Sequence, residues 1–318
     1  MFQRCGSLCL NSLKLQPNVS SKYMSILSKT EAKKRRNALF DEQKKKERAD
    51  IGRIEKIEVK YQSPTEEVIL VMNKDISTPH DCAKHISEGI TNVSALALVD
   101  GNSWDMHKPL TSNCELQLLS MMTPKVNTTN YAFWRTCSFI LGAVADNAFK
   151  EDITVHLHSF PAPVIKSGSF VCDVFIDVPN WKPSEAEMRA MSASFIKLVN
   201  NELPVERLET TENVALEMFQ ENPFKVRQIP DIAANSIDNK ITLYRIGDHI
   251  DISKGPMIGN TNLIGRCTIT AVHNITTDNQ DKIYRFQGIA LPKGIQLNYF
   301  AYSILEERAK KLNNVMWL

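Results

Sequence analysis

The sequence predicts an α+β fold in two units behind a basic helical extension, and three observations predict it. A length of 318 residues suits about two domains. Short strand-like runs bounded by turn residues occur in both halves, as in "IEKIEVKY", "EEVILVM", "GRCTITAVHNIT" and "KIYRFQGIAL". Between them lie stretches with explicit helix-start signals, such as "SEAEMRAMSASFIKLVNNE", where Ser184 and Glu187 form a capping-box pair.

A hydrophobic fraction of 43% is ample for ordinary cores. No uninterrupted apolar run approaches the ~18 residues that span a bilayer, so membrane insertion is not expected. Net charge is only +2 but uneven: residues 1–50 hold twelve Lys and Arg against five Asp and Glu, and the remaining 268 hold 26 against 31. Such asymmetry points to a targeting segment, an anionic partner, or both. The seven cysteines form no C-x-x-C pair and sit mostly in apolar segments. They read as buried hydrophobes in a reducing interior, with neither a disulfide framework nor a zinc knuckle.

From Met1 to Thr30 there is no acidic residue, while Arg4, Lys14, Lys22 and Lys29 are spaced among serines and leucines. That is the composition of a mitochondrial presequence, expected over residues 1–28, the alternative being a disordered basic tail. Next comes "SKTEAKKRRNALFDEQKKKERADIGR", in which Ser28 and Glu31 form a capping box and good helix formers follow, predicting a helix from about Lys29 to Arg48. Leu39 and Phe40 are nearly its only large apolar residues, so it is expected to be solvated or to lie on another surface. Two clusters, Lys33, Lys34, Arg35, Arg36 and Lys44, Lys45, Lys46, Arg48, are candidates for RNA phosphates; a merely solvated face is the plainer reading.

The first unit, about 54–122, opens with two strands around "QSPT" and a helix announced by Thr78 as N-cap, Pro79 at the first position and Asp81 in the first turn. "ALALVDGNSWDM" adds a strand, an Asp-Gly turn and a short strand, and "CELQLL" closes the set. His80, His85 and His107 lack metal-ligand spacing and are expected at the surface. This order, carried by "ISTPHDCAKHI" and "ALALVDGNSWDMHKPL", resembles the TGS domain, a β-grasp fold attached to threonyl-tRNA synthetases and some GTPases.

The second unit, about 130–313, begins with the apolar helix "NYAFWRTCSFILGAVADNAF". Strands at "ITVHLH" and "GSFVCDVFID", the capped helix from Ser184, a shorter helix at "TENVALEMFQ", strand "ITLYRIG", the turn-rich "DHIDISKGPMIGN", the strand pair named above and a closing helix through "SILEERAKKL" complete it. His156 and His158 read as ordinary strand histidines. "FWRTCSFILGA" and "DISKGPMIGN" resemble the two motifs of the threonyl-tRNA synthetase editing domain, H-S-C-A-H-x-L-G on a helix and D-x-C-R-G-P-H on a loop. In that family two His of the helix and the Cys and His of the loop form the metal-binding or catalytic cluster. Here those positions align with Arg135, Phe139, Ser253 and Met257, while Thr136, Cys137, Ser138, Leu141, Gly142, Asp251, Lys254, Gly255 and Pro256 keep the surrounding frame. Arg offers no lone pair, Phe offers nothing to a metal, Ser is a poor neutral ligand and a thioether suits softer ions than zinc. No metal, cofactor, small-molecule substrate or catalytic residue is expected.

No P-loop, G-x-S-x-G or H-E-x-x-H occurs. The order of basic helix, TGS-like unit and editing-like unit without ligands resembles one family, the synthetase-like mitochondrial large-subunit ribosomal proteins, thirty-ninth of their series. "VMNKDISTP", "YRIGDHIDISKGPMI" and "YRFQGIALP" carry the likeness. It implies a non-catalytic matrix protein held in the mitochondrial ribosome by ribosomal RNA and neighbouring large-subunit proteins. The alternatives from other classes are a freestanding aminoacyl-tRNA deacylase with a rebuilt site, and an extra-ribosomal RNA-binding regulator. Arg135, on a buried helix, needs a carboxylate, a carbonyl or a phosphate as partner.

Overall fold

A computed structural model describes residues 28–63, 67–123, 127–277 and 281–314. Apart from Ser28, the expected presequence lies outside the described residues.

Helix α1 (Lys29–Ala49) starts at the capping box of Ser28 and Glu31. The first unit follows as β1 (Lys56–Gln62), β2 (Glu67–Asn73), α2 (Pro79–Ile86), α3 (Glu88–Val93), β3 (Ser94–Val99), β4 (Asn102–Trp104) and β5 (Cys114–Ser120). Its sheet runs β2-β1-β5-β3-β4, with β1 and β5 parallel and the other neighbours antiparallel. Alternation sets the inner face: Ile57, Val59 and Tyr61 of β1 point inward with Cys82 and Ala83 of α2 and Leu116 of β5. Thr78 caps α2 and Pro79 opens it, as the sequence predicts; the short α3 is an addition.

The second unit comprises α4 (Asn127–Asn147), β6 (Val155–Ser159), β7 (Phe170–Ile176), α5 (Glu185–Asn200), β8 (Glu206–Thr211), α6 (Glu212–Met218), α7 (Pro223–Ala234), β9 (Lys240–Ile246), β10 (His249–Ile252), β11 (Ile264–Thr276), β12 (Lys282–Pro292) and α8 (Tyr299–Ala309). Two sheets form, β11-β12-β7-β6 and β10-β9-β8, antiparallel throughout. Helix α4 is buried at every position from Thr136 to Ala145 and joins Phe170, Cys172, Val174 and Phe286 of the larger sheet in the main core. Strand β10 lies inside the stretch expected to be turn-rich. Helix α7 was not anticipated, because Pro230 inside it reads as a breaker; Asn222 nevertheless caps it and Pro223 starts it.

Of the two readings of α1, solvated or lying on another surface, the structure bears out the second. Phe40 is fully buried in a core shared with Leu208, Met218, Phe219, Ile241 and Ile250. Around it the basic side chains find carboxylates of the second unit. Arg35 reaches Glu221 at 2.8 Å, Arg36 pairs with the same carboxylate, Lys33 meets Asp248 at 2.9 Å and Lys44 meets Glu206 at 2.5 Å. Arg245 lies 4.4 Å over the Phe40 ring and bonds Asp41 and Glu206. The apolar content of α1 is low because one aromatic and a set of ion pairs do the holding.

A Phe40→Ala chain should lose about 3–5 kcal/mol of stability, the usual cost of emptying a buried aromatic site. Limited proteolysis would then cut within 29–49 well before the rest of the protein; retention of wild-type protection there would show that α1 is held by its ion pairs alone.

Candidate functional site

Four elements converge on the loop that follows β10. On one side α4 contributes Arg135, whose Nη1 donates to the Pro256 carbonyl at 2.8 Å, and Thr136, whose hydroxyl accepts the Ile258 amide at 3.1 Å. The carbonyl is thus the partner that Arg135 requires, and the burial of this guanidinium lowers its pKa from the usual arginine range, opposed by Tyr244 and Asp105. One turn further along α4, Phe139 is fully buried, stacked on Phe160 at 5.7 Å and edge-on to His249 at 4.9 Å. Met257 belongs to the same apolar core as Phe139, and Ser253 is buried at the start of the loop.

The other side of the loop is taken by the first unit. Asp105, just beyond β4, accepts the Met257 amide at 2.9 Å on one oxygen and the Tyr244 hydroxyl at 2.9 Å on the other. Arg207 of β8 brings its Nε within 3.2 Å of the same carboxylate, an ion pair in which the N–H is not aimed well enough to count as a hydrogen bond. The Gly259 amide donates to the Ala95 carbonyl at 2.9 Å, and His107 Nε2 lies 2.9 Å from the Gly259 carbonyl. A carbonyl only accepts, so Nε2 is the nitrogen that carries a proton and donates here. Two glycines allow this closeness: a Cβ at Gly259 would meet Met106 Cβ at 2.7 Å, and one at Gly255, where φ is +64°, would collide with the Tyr244 hydroxyl.

Burial raises the Asp105 carboxyl above its ordinary value, against the Met257 amide, Arg207 and Tyr244, which lower it. Burial likewise pushes the Tyr244 phenol well up, with Asp105 adding to the shift. Nearby, Lys225 and Asp251 form an ion pair at 2.6 Å in which both side chains are almost wholly buried. His249 is buried with neither ring nitrogen partnered by the protein, and burial, then Lys33, Arg36 and Lys225, hold it well below the usual histidine pKa.

The positions aligned with the editing ligands therefore gather around one loop, but as a packed junction. Their side chains offer a cation spent on a carbonyl, a stacked phenyl ring, a hydroxyl and a thioether. Among the described residues, no group of three or more His, Cys, Asp or Glu is placed to hold a metal ion. His107 corrects the expectation of a surface residue: it is half-buried between the units, its ring 4.8 Å from that of His80. His85 is exposed. The sequence reading missed Asp105, Lys225, Tyr244 and His249. Only Asp105 carried a signal, a carboxylate between Trp104 and Met106.

Of the RNA-contact candidates, Lys33, Arg35, Arg36 and Lys44 are engaged with the second unit, and Lys46 pairs with Glu42 one turn away. Lys34, Lys45 and Arg48 are exposed and have no salt bridge among the described residues.

Comparison with known proteins matches this arrangement. The TGS domain family matches residues 69–120. The large ribosomal subunit protein mL39 of Drosophila melanogaster is 49% identical over 279 residues, which cover 87% of this chain and 84% of the fly protein. The chain belongs to the mL39 family of large ribosomal subunit proteins. A more distant likeness is to threonine–tRNA ligases: 31% identity over 241 residues to the mitochondrial enzyme 1 of Arabidopsis thaliana, and 28% over 240 residues to that of Thermotoga maritima. The chain spans about a third of the length of these ligases, 32% and 34%. The likeness to these ligases covers 75% and 74% of this chain.

A pH dependence follows from the histidines. Burial, then His80, brings His107 down to about 4, and burial lowers His80, His156, His158 and His249 as well. Between pH ~6.5 and ~4 the unfolded chain binds more of these protons, so their contribution to stability is full above ~6.5 and lost as the pH falls; Asp105, with its raised pKa, acts in the opposite sense. Denaturant midpoints should drop on going from neutral pH towards pH ~4.5, and His249→Leu should flatten that slope. Equal slopes in the two proteins would contradict the assignment of His249 as a neutral buried group.

Proposed function

We propose that this chain is a structural, non-catalytic component of the large subunit of the mitochondrial ribosome, residing in the matrix and supporting translation there. The observation that carries the proposal is the 49% identity to an mL39 protein along most of both chains. The closed junction supports it, since Arg135, Phe139, Ser253 and Met257 provide neither metal ligands nor a base. A deacylase reading would need an open pocket for an ester and a water, and the loop that should line it is bonded on both sides.

Ribosomal RNA and neighbouring large-subunit proteins are the proposed partners, and the basic N-terminal segment is the proposed import signal. Contact with RNA is assigned to the outward stripe of α1. Lys34, Lys45 and Arg48 recur at helical spacing and are exposed, while Asp41 on the same face reaches Arg245 of the second unit. The three cations lie along ~21 Å of helix, at ~1.5 Å per residue. Such cations recognise backbone charge rather than sequence, in keeping with the deep, narrow major groove of RNA duplexes.

Sedimentation of mitochondrial lysate tests the proposal: the protein should travel with the large-subunit peak, and its confinement to the top of the gradient would refute a ribosomal role. Replacing Lys34, Lys45 and Arg48 together by Gln should reduce incorporation, more so at higher salt. Unaltered incorporation would remove RNA contact from α1 while leaving the ribosomal role standing.

A further inference from the structure

We propose that two copies of this chain join through the outer edge of β2, antiparallel and in register about a two-fold axis at Leu70, so that their first-unit sheets become one. The inference concerns the free chain and does not rest on the ribosomal reading.

Strand β2 ends the sheet on its side, and among the described residues no strand pairs with its outer edge. The hydrogen-bond phase between β1 and β2 decides which peptide groups face outward. The Lys74 amide donates to the Glu55 carbonyl at 2.9 Å, which makes that pair a hydrogen-bonded one. From it the unbroken register alternates, so Met72, Leu70 and Val68 bond towards β1 while Val71 and Ile69 turn their amides and carbonyls away. Two bonds agree with this phase: the Glu58 amide, opposite Val71, is given at 3.0 Å to the Asn113 side chain just before β5, and the Asn73 amide is given at 3.0 Å to the Ser77 hydroxyl. Ile69 and Val71 are also the exposed side chains of the strand, at 58% and 64%, whereas Val68, Leu70 and Met72 pack on the core of the first unit. Sheets commonly blunt such an edge with lysine, proline or a bulge. The strand EVILVMN has none of these.

Charge and shape single out a second copy as the occupant of this edge. With Leu70 on the axis, Ile69 of each chain stands opposite Val71 of the other, and because both face outward each such pair exchanges both of its backbone hydrogen bonds. The exposed apolar side chains then cover one another as cross-strand neighbours. Glu67 of one copy falls opposite Asn73 of the other, whose side chain accepts the Lys56 ammonium at 2.6 Å, so a carboxylate meets a cation at each end of the joint. Further in, Lys60 flanks Ile69 and Glu58 flanks Val71, so each row across the joined sheet runs Lys60, Ile69, then Val71 and Glu58 of the second copy. A register shifted by two residues sets Glu67 against Val71, or Ile69 against Asn73, and loses the match. A joint of one strand pair buries less than the ~1,200–2,000 Å² of a standard interface, so association belongs in the micromolar range.

Sedimentation velocity of the purified full-length chain, run from low to high micromolar concentration, tests this, and a monomer-dimer equilibrium is the expected result. Val71→Lys, at an exposed position, should weaken the dimer roughly tenfold, since symmetry counts each disrupted pair twice. Glu67→Lys should weaken it as well, and combining Glu67→Lys with Lys56→Glu should restore it, with an unchanged circular-dichroism spectrum throughout. The charge exchange also keeps the proposal testable should the Val71 variant fail to fold. A monomer at every concentration, association indifferent to Val71→Lys and Glu67→Lys, or no recovery in the double variant would each overturn the proposal.

Discussion

The carboxylate of Asp105 joins the first unit to the second at the loop after β10, beside the apolar core that Ala95, Leu96 and Leu119 share with the second unit. It leaves the first unit at the end of β4 and enters the second, where it accepts the Met257 amide and the Tyr244 hydroxyl and faces Arg207. An ionised side chain so placed is costly to desolvate and tolerable only when its oxygens are filled. All the surrounding features serve that requirement. Gly255 and Gly259 let Tyr244 and Met106 come close, and the Gly259 amide and carbonyl are taken up by Ala95 and His107. Arg135 and Thr136 hold the opposite side of the same loop. The loop is thereby fixed from two directions, by a helix of its own unit and by a neighbouring unit.

This explains how an enzyme-like fold can serve as a scaffold. Arg135, Phe139, Ser253 and Met257 offer no metal-binding set, and the space around them is closed. Phe139 and Phe160 fill it from inside, and Asp105 and Met106 seal it from the first unit. Lys225 and Asp251, both almost wholly buried, pair with each other at 2.6 Å nearby. Helix α1 applies a second clamp on the far side, with Phe40 inserted among β8, β9, β10 and α6 and its cations shared among Glu206, Glu221 and Asp248. The positive charge that remains outward is what such a body can offer to an anionic neighbour.

Local signals made much of this legible in the sequence. Capping boxes at Ser28 with Glu31 and at Ser184 with Glu187 announced α1 and α5 within a residue or two, because a cap is written in four consecutive positions. Alternation announced β1 and β7, and the ligand substitutions at Arg135 and Phe139 are visible against the motif that surrounds them. What could not be read were pairings between distant parts of the chain. Arg35 and Arg36 meet Glu221 across about 185 positions, so the surface on which a helix with one phenylalanine lies stayed hidden. Asp105 drew no reading of its own because Tyr244 and Met257 lie some 140 and 150 positions away. Helix α7 was hidden by Pro230, whose penalty is outweighed by the packing of Phe224, Ile229 and Ala233.

The central claim is that the two units are one cooperative body locked through Asp105, and scanning calorimetry of the purified chain tests it most directly. The wild-type protein should unfold in a single transition spanning both units, and Asp105→Ala, which leaves the Met257 amide and the Tyr244 hydroxyl without their acceptor, should split it into two. Two resolved transitions in the wild type, or a single unshifted transition in Asp105→Ala, would contradict the account.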